Sequence, residues 1–315
     1  MSVNTIPSFF IRDFAHWRKI ELFRRLLYIF LLLNTLSLLP IAKEIWSYHG
    51  IVGTRGWNFA IPTFEQGSYA LLNVLSHPAN AKYPWVYIVF IIAQIAFLLT
   101  GILRVIPKIS SFMVYFFTAN LFLKGYMMFT GAEVLISLLL FYLMFIQKSN
   151  SQGWKISFKI SKDEKPEFGV FQNTLNNTFY WILLIQICFV YFFSTFYKLF
   201  DWNWISGSAV MYVSRVDTYS SGLSRFLFAD NYVLSLIASY LILIYQAFFP
   251  ILVWVKKVKI PFLIFGVIFH LGIAFGMGIF TFGIVMCLVY LLFLDLEQID
   301  KLKSKFSFKR SNPVT

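Results

Sequence analysis

Charged side chains are scarce in this 315-residue chain, with 14 Asp and Glu and 27 Lys and Arg making up 13% of it. An ordinary soluble domain carries roughly 25%. The scarcity excludes a soluble globule with a fully solvated shell, and it excludes disorder driven by charge. Cysteine is nearly absent. Cys188 and Cys287 both sit in apolar runs, where a thiol behaves as a small hydrophobe, so neither a disulfide framework nor a CxxC site is indicated. Glycine and proline, at 16 and 10 residues, form no period, which excludes a collagen-like chain. No internal repeat or low-complexity tract is evident. What the chain does hold is apolar surface: 59% hydrophobic residues, 38 Phe, 17 Tyr, 9 Trp and a mean hydropathy of +0.71. One soluble core of this size cannot hide so much, so a large part must face lipid.

Apolar runs of spanning length cover residues 24–42, 84–103, 178–199 and 232–255. Shorter runs at 109–123 and 134–147 are separated by the segment from Lys124 to Glu133. The run 260–294 is too long for one tilted helix and suits two, broken near Gly276-Met277-Gly278. The expected fold is therefore an all-α integral membrane protein, a polytopic bundle of about eight transmembrane helices with N- and C-termini cytoplasmic. It is expected to be one transmembrane domain over 1–315, its core about 20–295, followed by a basic cytoplasmic tail at 296–315.

Charge supports that orientation, because cytoplasmic segments collect Lys and Arg. With the N-terminus inside, 20 of the 27 basic residues fall on the inner side and 6 on the outer, leaving Lys198 within a helix. The basic surplus then reads as topology and as attraction to anionic lipid, not as a nucleic-acid site. The first apolar run ends in Pro40-Ile41-Ala42-Lys43 without a small-x-small site, so it reads as a retained span and not a removable signal. The segment 148–177 reads as a polar inner loop with a turn at Ser149–Gly153. The outer segments 43–83 and 200–231 are rich in Trp and Tyr, as expected at a lipid interface, and together could roof a cavity.

An intramembrane lysine is a site hypothesis by default. At 100° per residue, Gln186, Tyr191, Ser194, Tyr197, Lys198 and Asp201 share one face, and Cys188, Phe189, Phe192, Phe196 and Leu199 form an opposite face suited to lipid or apolar packing. Lys198 then either snorkels to the headgroups or lines something polar, and the stripe beneath it favours the second role. His270 sits mid-span with Gly266 and Ala274 one turn to either side, which permits close approach of a partner helix or ligand. It is open to a packing role or a site role. No second His or Cys lies at metal-ligand spacing from it, so no metal site is expected. Gln94, Asn34, Asn120 and Gln246 are expected to form interhelical hydrogen bonds. Glu133, after Thr130-Gly131-Ala132, is either a carboxylate favoured at a helix start or a site residue.

Tyr191 through Lys198-Leu199, followed by Trp202 or Trp204 and then Gly207-Ser208-Ala209, resembles a characteristic stretch of the vitamin K-dependent gamma-carboxylase-like family, also called the HTTM (horizontally transferred transmembrane) domain. Gly131-Ala132-Glu133 before that stretch, and Gln246, Pro250 and His270 after it, fall in the family's order over about residues 20–295. The resemblance implies a membrane enzyme using a reduced vitamin K-type quinone on a peptide or small substrate reached from the outer face. Lys198 is then the general base and Glu133 a further catalytic residue. Tyr191, Ser194, Trp202, Trp204, Gln246 and His270 are then cofactor- or substrate-binding residues. Apolar surroundings disfavour a lysine's ammonium form, and a base must be neutral to accept a proton.

Two departures from the carboxylases stand out. The chain ends soon after the last span, without their large β-rich extracytoplasmic region, and Gly131-Ala132-Glu133 stands where they carry a histidine. That Gly-Ala-Glu pattern looks more like the small bacterial members, including those that mature a sporulation-delaying toxin. This implies a bacterial plasma membrane location. It also opens an alternative role, a non-carboxylating maturation or export factor for a secreted peptide toxin, working with partner proteins. A transporter would call for repeated halves, and none is seen.

Overall fold

Long apolar runs uninterrupted by turn residues become helices, because in lipid each backbone N–H and C=O must be satisfied within the segment. The computed structural model describes residues 8–47, 50, 85–125, 130–148 and 166–300, and among these every regular element is helical. The long helices are α1 (Trp17–Leu38), α2 (Val86–Leu103), α3 (Pro107–Lys124), α4 (Gly131–Phe145) and α5 (Pro166–Lys198). A short α6 (Gly222–Phe228) then precedes α7 (Tyr232–Leu252), α8 (Lys256–Leu271) and α9 (Phe280–Val289). Five stretches are long and apolar enough to cross a membrane: Trp17–Trp46, Val86–Leu103, Gly169–Lys198, Tyr232–Leu252 and Lys256–Gly276. The chain is thus a helical protein with the make-up of a membrane protein. It divides into two compact units, Met1–Phe14 with Arg24–Leu183 and Ala15–Phe23 with Leu184–Thr315.

In the first unit, α2 and α3 form a hairpin that turns at Arg104, whose left-handed φ of 59° closes α2 with its N–H on the Gly101 carbonyl. A core of Ala42, Ile45, Trp46, Phe90, Ile91 and Leu121 packs beside it, and Trp46 Nε1 donates to Leu121 O at 2.9 Å. Gln94 makes the expected interhelical bonds, accepting from Thr35 at 3.2 Å and donating to Thr118 at 3.0 Å. Asn120 donates to Phe116 O of its own helix at 2.8 Å. Buried Arg24 donates through Nη2 to Leu143 O and Ile146 O at the end of α4, where a cation favours the helix dipole.

The structure corrects the reading of 148–177 as a loop, since α5 begins at Pro166 and runs for 33 residues. The polar residues that suggested a loop are docking groups. Asn176 exchanges bonds with the Gln147 backbone at 2.9 and 3.1 Å, and Asn177 donates to Phe10 O and Arg12 O. The turn at Ser149–Gly153 lies outside the described residues.

In the second unit, the expected break between α8 and α9 is present. A π-helical turn at Gly272–Gly276 ends α8, and Gly278 takes φ +72° before α9 starts. The close approach of α8 to α9 requires Gly283, where a Cβ would meet His270 O and Ala274. At the start of α1, Lys19 Nζ donates to Leu294 O at 3.1 Å, Arg18 forms a bidentate pair with Asp300, and Lys259 pairs with Asp295 at 2.9 Å. His16 belongs to this cluster. Burial, and then the Lys19 charge, push its imidazole down to about 4, with Asp295 opposing.

Candidate functional site

Lys198 is the last residue of α5, placed there because Asp201 stops the helix and caps the next turn. Its carboxylate accepts from Asn203 N at 2.8 Å and starts the short helix Trp202–Ile205. That turn folds Trp204 back over the lysine, with Nζ 4.9 Å from the ring centroid, a cation–π distance. The spacing of Ser194 and Lys198 sets them on one helix face. Nζ donates to Ser194 Oγ at 2.6 Å and to Ser194 O at 3.5 Å, while Ser194 Oγ donates onward to Gln246 Oε1 of α7 at 3.4 Å. Ser194, Tyr197, Lys198, Asp201 and Trp204 line an open pocket of about 410 Å³. Among the described residues no carboxylate lies at ion-pair distance from Lys198.

A second polar cluster lies in the buried part of the same unit. Tyr191 Oη is 2.7 Å from His270 Nε2 and 2.5 Å from Tyr290 Oη, and Tyr290 Oη is 2.7 Å from Tyr245 Oη. The four residues come from α5, α7, α8 and the turn after α9, so the cluster ties these elements together. Tyr191 stacks on Phe249 with centroids 3.8 Å apart and meets Tyr245 edge-on. Three hydroxyl protons serve three hydrogen bonds. The direction Tyr245 to Tyr290 to Tyr191 to Nε2 uses all of them and puts the imidazole proton on Nδ1. That nitrogen is buried, with no hydrogen-bond partner among the described residues. Gly266 makes the cluster possible, because a Cβ there would meet both the Tyr245 and the Tyr290 hydroxyls.

The structure therefore brings Ser194, Trp204 and Gln246 to Lys198, and Tyr191 to His270. Trp202 is 74% exposed and lies outside the pocket lining. Glu133 belongs to the first unit. It closes a capping box at the start of α4, its Oε2 accepting from Thr130 N at 2.6 Å and Thr130 Oγ1 at 2.8 Å. On the apolar face of α5, Cys188 is buried, while Phe189, Phe192, Phe196 and Leu199 are exposed, so that face serves both apolar packing and outward exposure. Residues 200–231 fold onto α7 and the Gly272–Gly276 turn through Tyr240 Oη to Ile205 O, Val210 N to Ser239 Oγ and Ser221 N to Gly276 O. Of the companion segment 43–83, residues 48–49 and 51–83 lie outside the described residues. Sequence reasoning missed Tyr245 and Tyr290. The available signal was Gly266 one turn before His270, a gap that a bulky partner must fill.

Comparison with known protein families, with curated proteins and with solved structures finds no match.

Proposed function

We propose that this chain is a gamma-carboxylase-like membrane enzyme in which Lys198 Nζ takes up a proton as general base. It would use a reduced vitamin K-type quinone and act on a peptide or small substrate arriving from the outer face. The observation that carries the reading is an amine at the wall of an open pocket that, among the described residues, is held by Ser194 and the Trp204 face and has no ion-pair partner. The pocket's volume of about 410 Å³ falls within the range of small-molecule sites, roughly 300–1,000 Å³. The Trp204 and Tyr197 rings fit a flat aromatic group and the Lys198 amine fits its hydroxyl, so the residues suit a quinol. A bound quinol supplies an ionisable hydroxyl and reducing equivalents. Ser194 orients the amine: its hydroxyl proton is directed to Gln246, which leaves the oxygen to accept from Nζ. A neutral amine whose N–H bonds point to Ser194 retains its lone pair for a proton from the pocket.

The same proposal places the protein in the bacterial plasma membrane with eight spans and both termini cytoplasmic, α3, α4 and α9 adding to the five long stretches. The 20 to 6 division of basic residues supports this orientation. A reporter active only in the cytoplasm, fused after residue 315, is expected to be active, and a well-expressed but silent fusion contradicts the topology. The function is tested by titrating purified protein in detergent with a reduced naphthoquinone. In air-saturated buffer, saturable binding is expected with two-electron oxidation of the quinol by dissolved oxygen, faster than in protein-free detergent, and absence of both refutes the enzymatic reading.

A further inference from the structure

We infer that α6 lies in the plane of the membrane, with Leu223 and Phe226 immersed at the boundary between lipid headgroups and acyl chains. The inference rests on the proposed embedding of the helices in a bilayer. Depth is fixed by a hydrogen bond. Ser221, the N-cap of α6, donates its N–H to Gly276 O at 2.8 Å, and Gly276 closes the 21-residue apolar stretch Lys256–Gly276. A stretch of that length matches the roughly 30 Å hydrocarbon thickness at 1.5 Å per residue, so its end marks the interface. The helix tied to that end is held at the same level, and α7 starts at Tyr232 immediately after it.

The side chains of α6 are sorted to match. Ser224 is buried in the capping box with Ser221, whereas Leu223 is 67% and Phe226 83% exposed. Arg225 turns aside, its Nη2 on Asp217 Oδ1 at 2.6 Å and Ser220 Oγ at 2.8 Å. Arg215 donates to Ala229 O and pairs with Asp230. Tyr212, Tyr219 and Tyr232 are about half exposed around the helix, the composition of an interfacial belt. With both arginines paired, this surface has an apolar demand and little net charge, so the partner it fits is the headgroup–acyl boundary of zwitterionic lipid.

The test uses the full chain carrying Cys188→Ala and Cys287→Ala, reconstituted in phosphatidylcholine vesicles, with a nitroxide on one introduced cysteine at a time. Phe226→Cys and Leu223→Cys report independently. Asp230→Cys is the aqueous reference and Phe192→Cys the embedded one. Labels at 226 and 223 are expected to lose collisions with a water-soluble nickel chelate and gain collisions with oxygen relative to 230. Values at 226 and 223 equal to those at 230, with 192 rich in oxygen collisions, overturn the inference alone. Nickel access at 192 as well would overturn the embedding and this inference with it.

Discussion

Gly266→Ala separates a built polar cluster from a chance crowding of tyrosines. A Cβ at this position meets the Tyr245 and Tyr290 hydroxyls and lies 2.7 Å from Tyr290 Cζ. Neither ring can swing away, since each is 3% exposed and packed against Phe249. Overpacking of this kind costs about 1–3 kcal/mol. The displaced Tyr290 hydroxyl also strains its bonds to Tyr191 and Tyr245, each worth about 1 kcal/mol net. Alanine in place of glycine inside a helix returns about 1 kcal/mol. The balance is a destabilisation of about 2–4 kcal/mol. Gly272→Ala is the internal control, because that site is exposed and its added Cβ meets nothing within 4 Å among the described residues. It should not destabilise, and with helical backbone at Gly272 it returns up to about 1 kcal/mol. Reversible unfolding in mixed dodecylmaltoside and dodecyl sulfate micelles, followed by tryptophan fluorescence, measures both. Tyr290→Phe in the Gly266→Ala background should recover part of the loss, since one of the clashing oxygens is gone. Equal stability of Gly266→Ala and Gly272→Ala would refute the cluster as described.

Thr130→Ala should weaken the start of α4 by about 1 kcal/mol through loss of its cap. Glu133→Gln should leave both stability and turnover near wild type, because glutamine also completes a capping box. A large loss of turnover with unchanged melting would instead give Glu133 a chemical role. His16 predicts a pH dependence. Its folded pKa of about 4 lies below the ordinary 6.5, so as the pH falls the unfolded chain takes up the proton first. Stability is full above about 6.5 and declines between there and about 4. Unfolding midpoints measured across that range should slope less in His16→Gln, and an identical slope would contradict the assignment.

Patterns local to one helix were legible in the sequence. The break at 276–278 followed from run length and glycine, and the pairing of Ser194 with Lys198 from spacing along a single helix. For α4 the sequence marked Glu133 as a carboxylate suited to a helix start or a site, and the structure shows it closing the capping box with Thr130. Three features were not legible, each for a physical reason. Asn173, Asn176 and Asn177 look like loop residues by polarity, yet they continue α5 because groups distant in sequence accept from their amides: the Asp13 carboxylate for Asn173, Gln147 O for Asn176 and Phe10 O for Asn177. Tyr245 and Tyr290 look like ordinary aromatics in apolar runs, and only the packing of three helices reveals that their hydroxyls converge. The choice of Trp204 over Trp202 depends on the turn that Asp201 caps, which the sequence permits in either register.

The central claim, that Lys198 accepts a proton, is tested most directly by Lys198→Arg in the quinol turnover assay. Arginine keeps the positive charge and can reach the lipid headgroups, but its guanidinium stays protonated at any working pH. The account predicts a folded protein that still binds the quinone and has lost turnover. A lysine that merely snorkels would make the change nearly silent. Full turnover in Lys198→Arg contradicts the account and removes this residue from the chemistry.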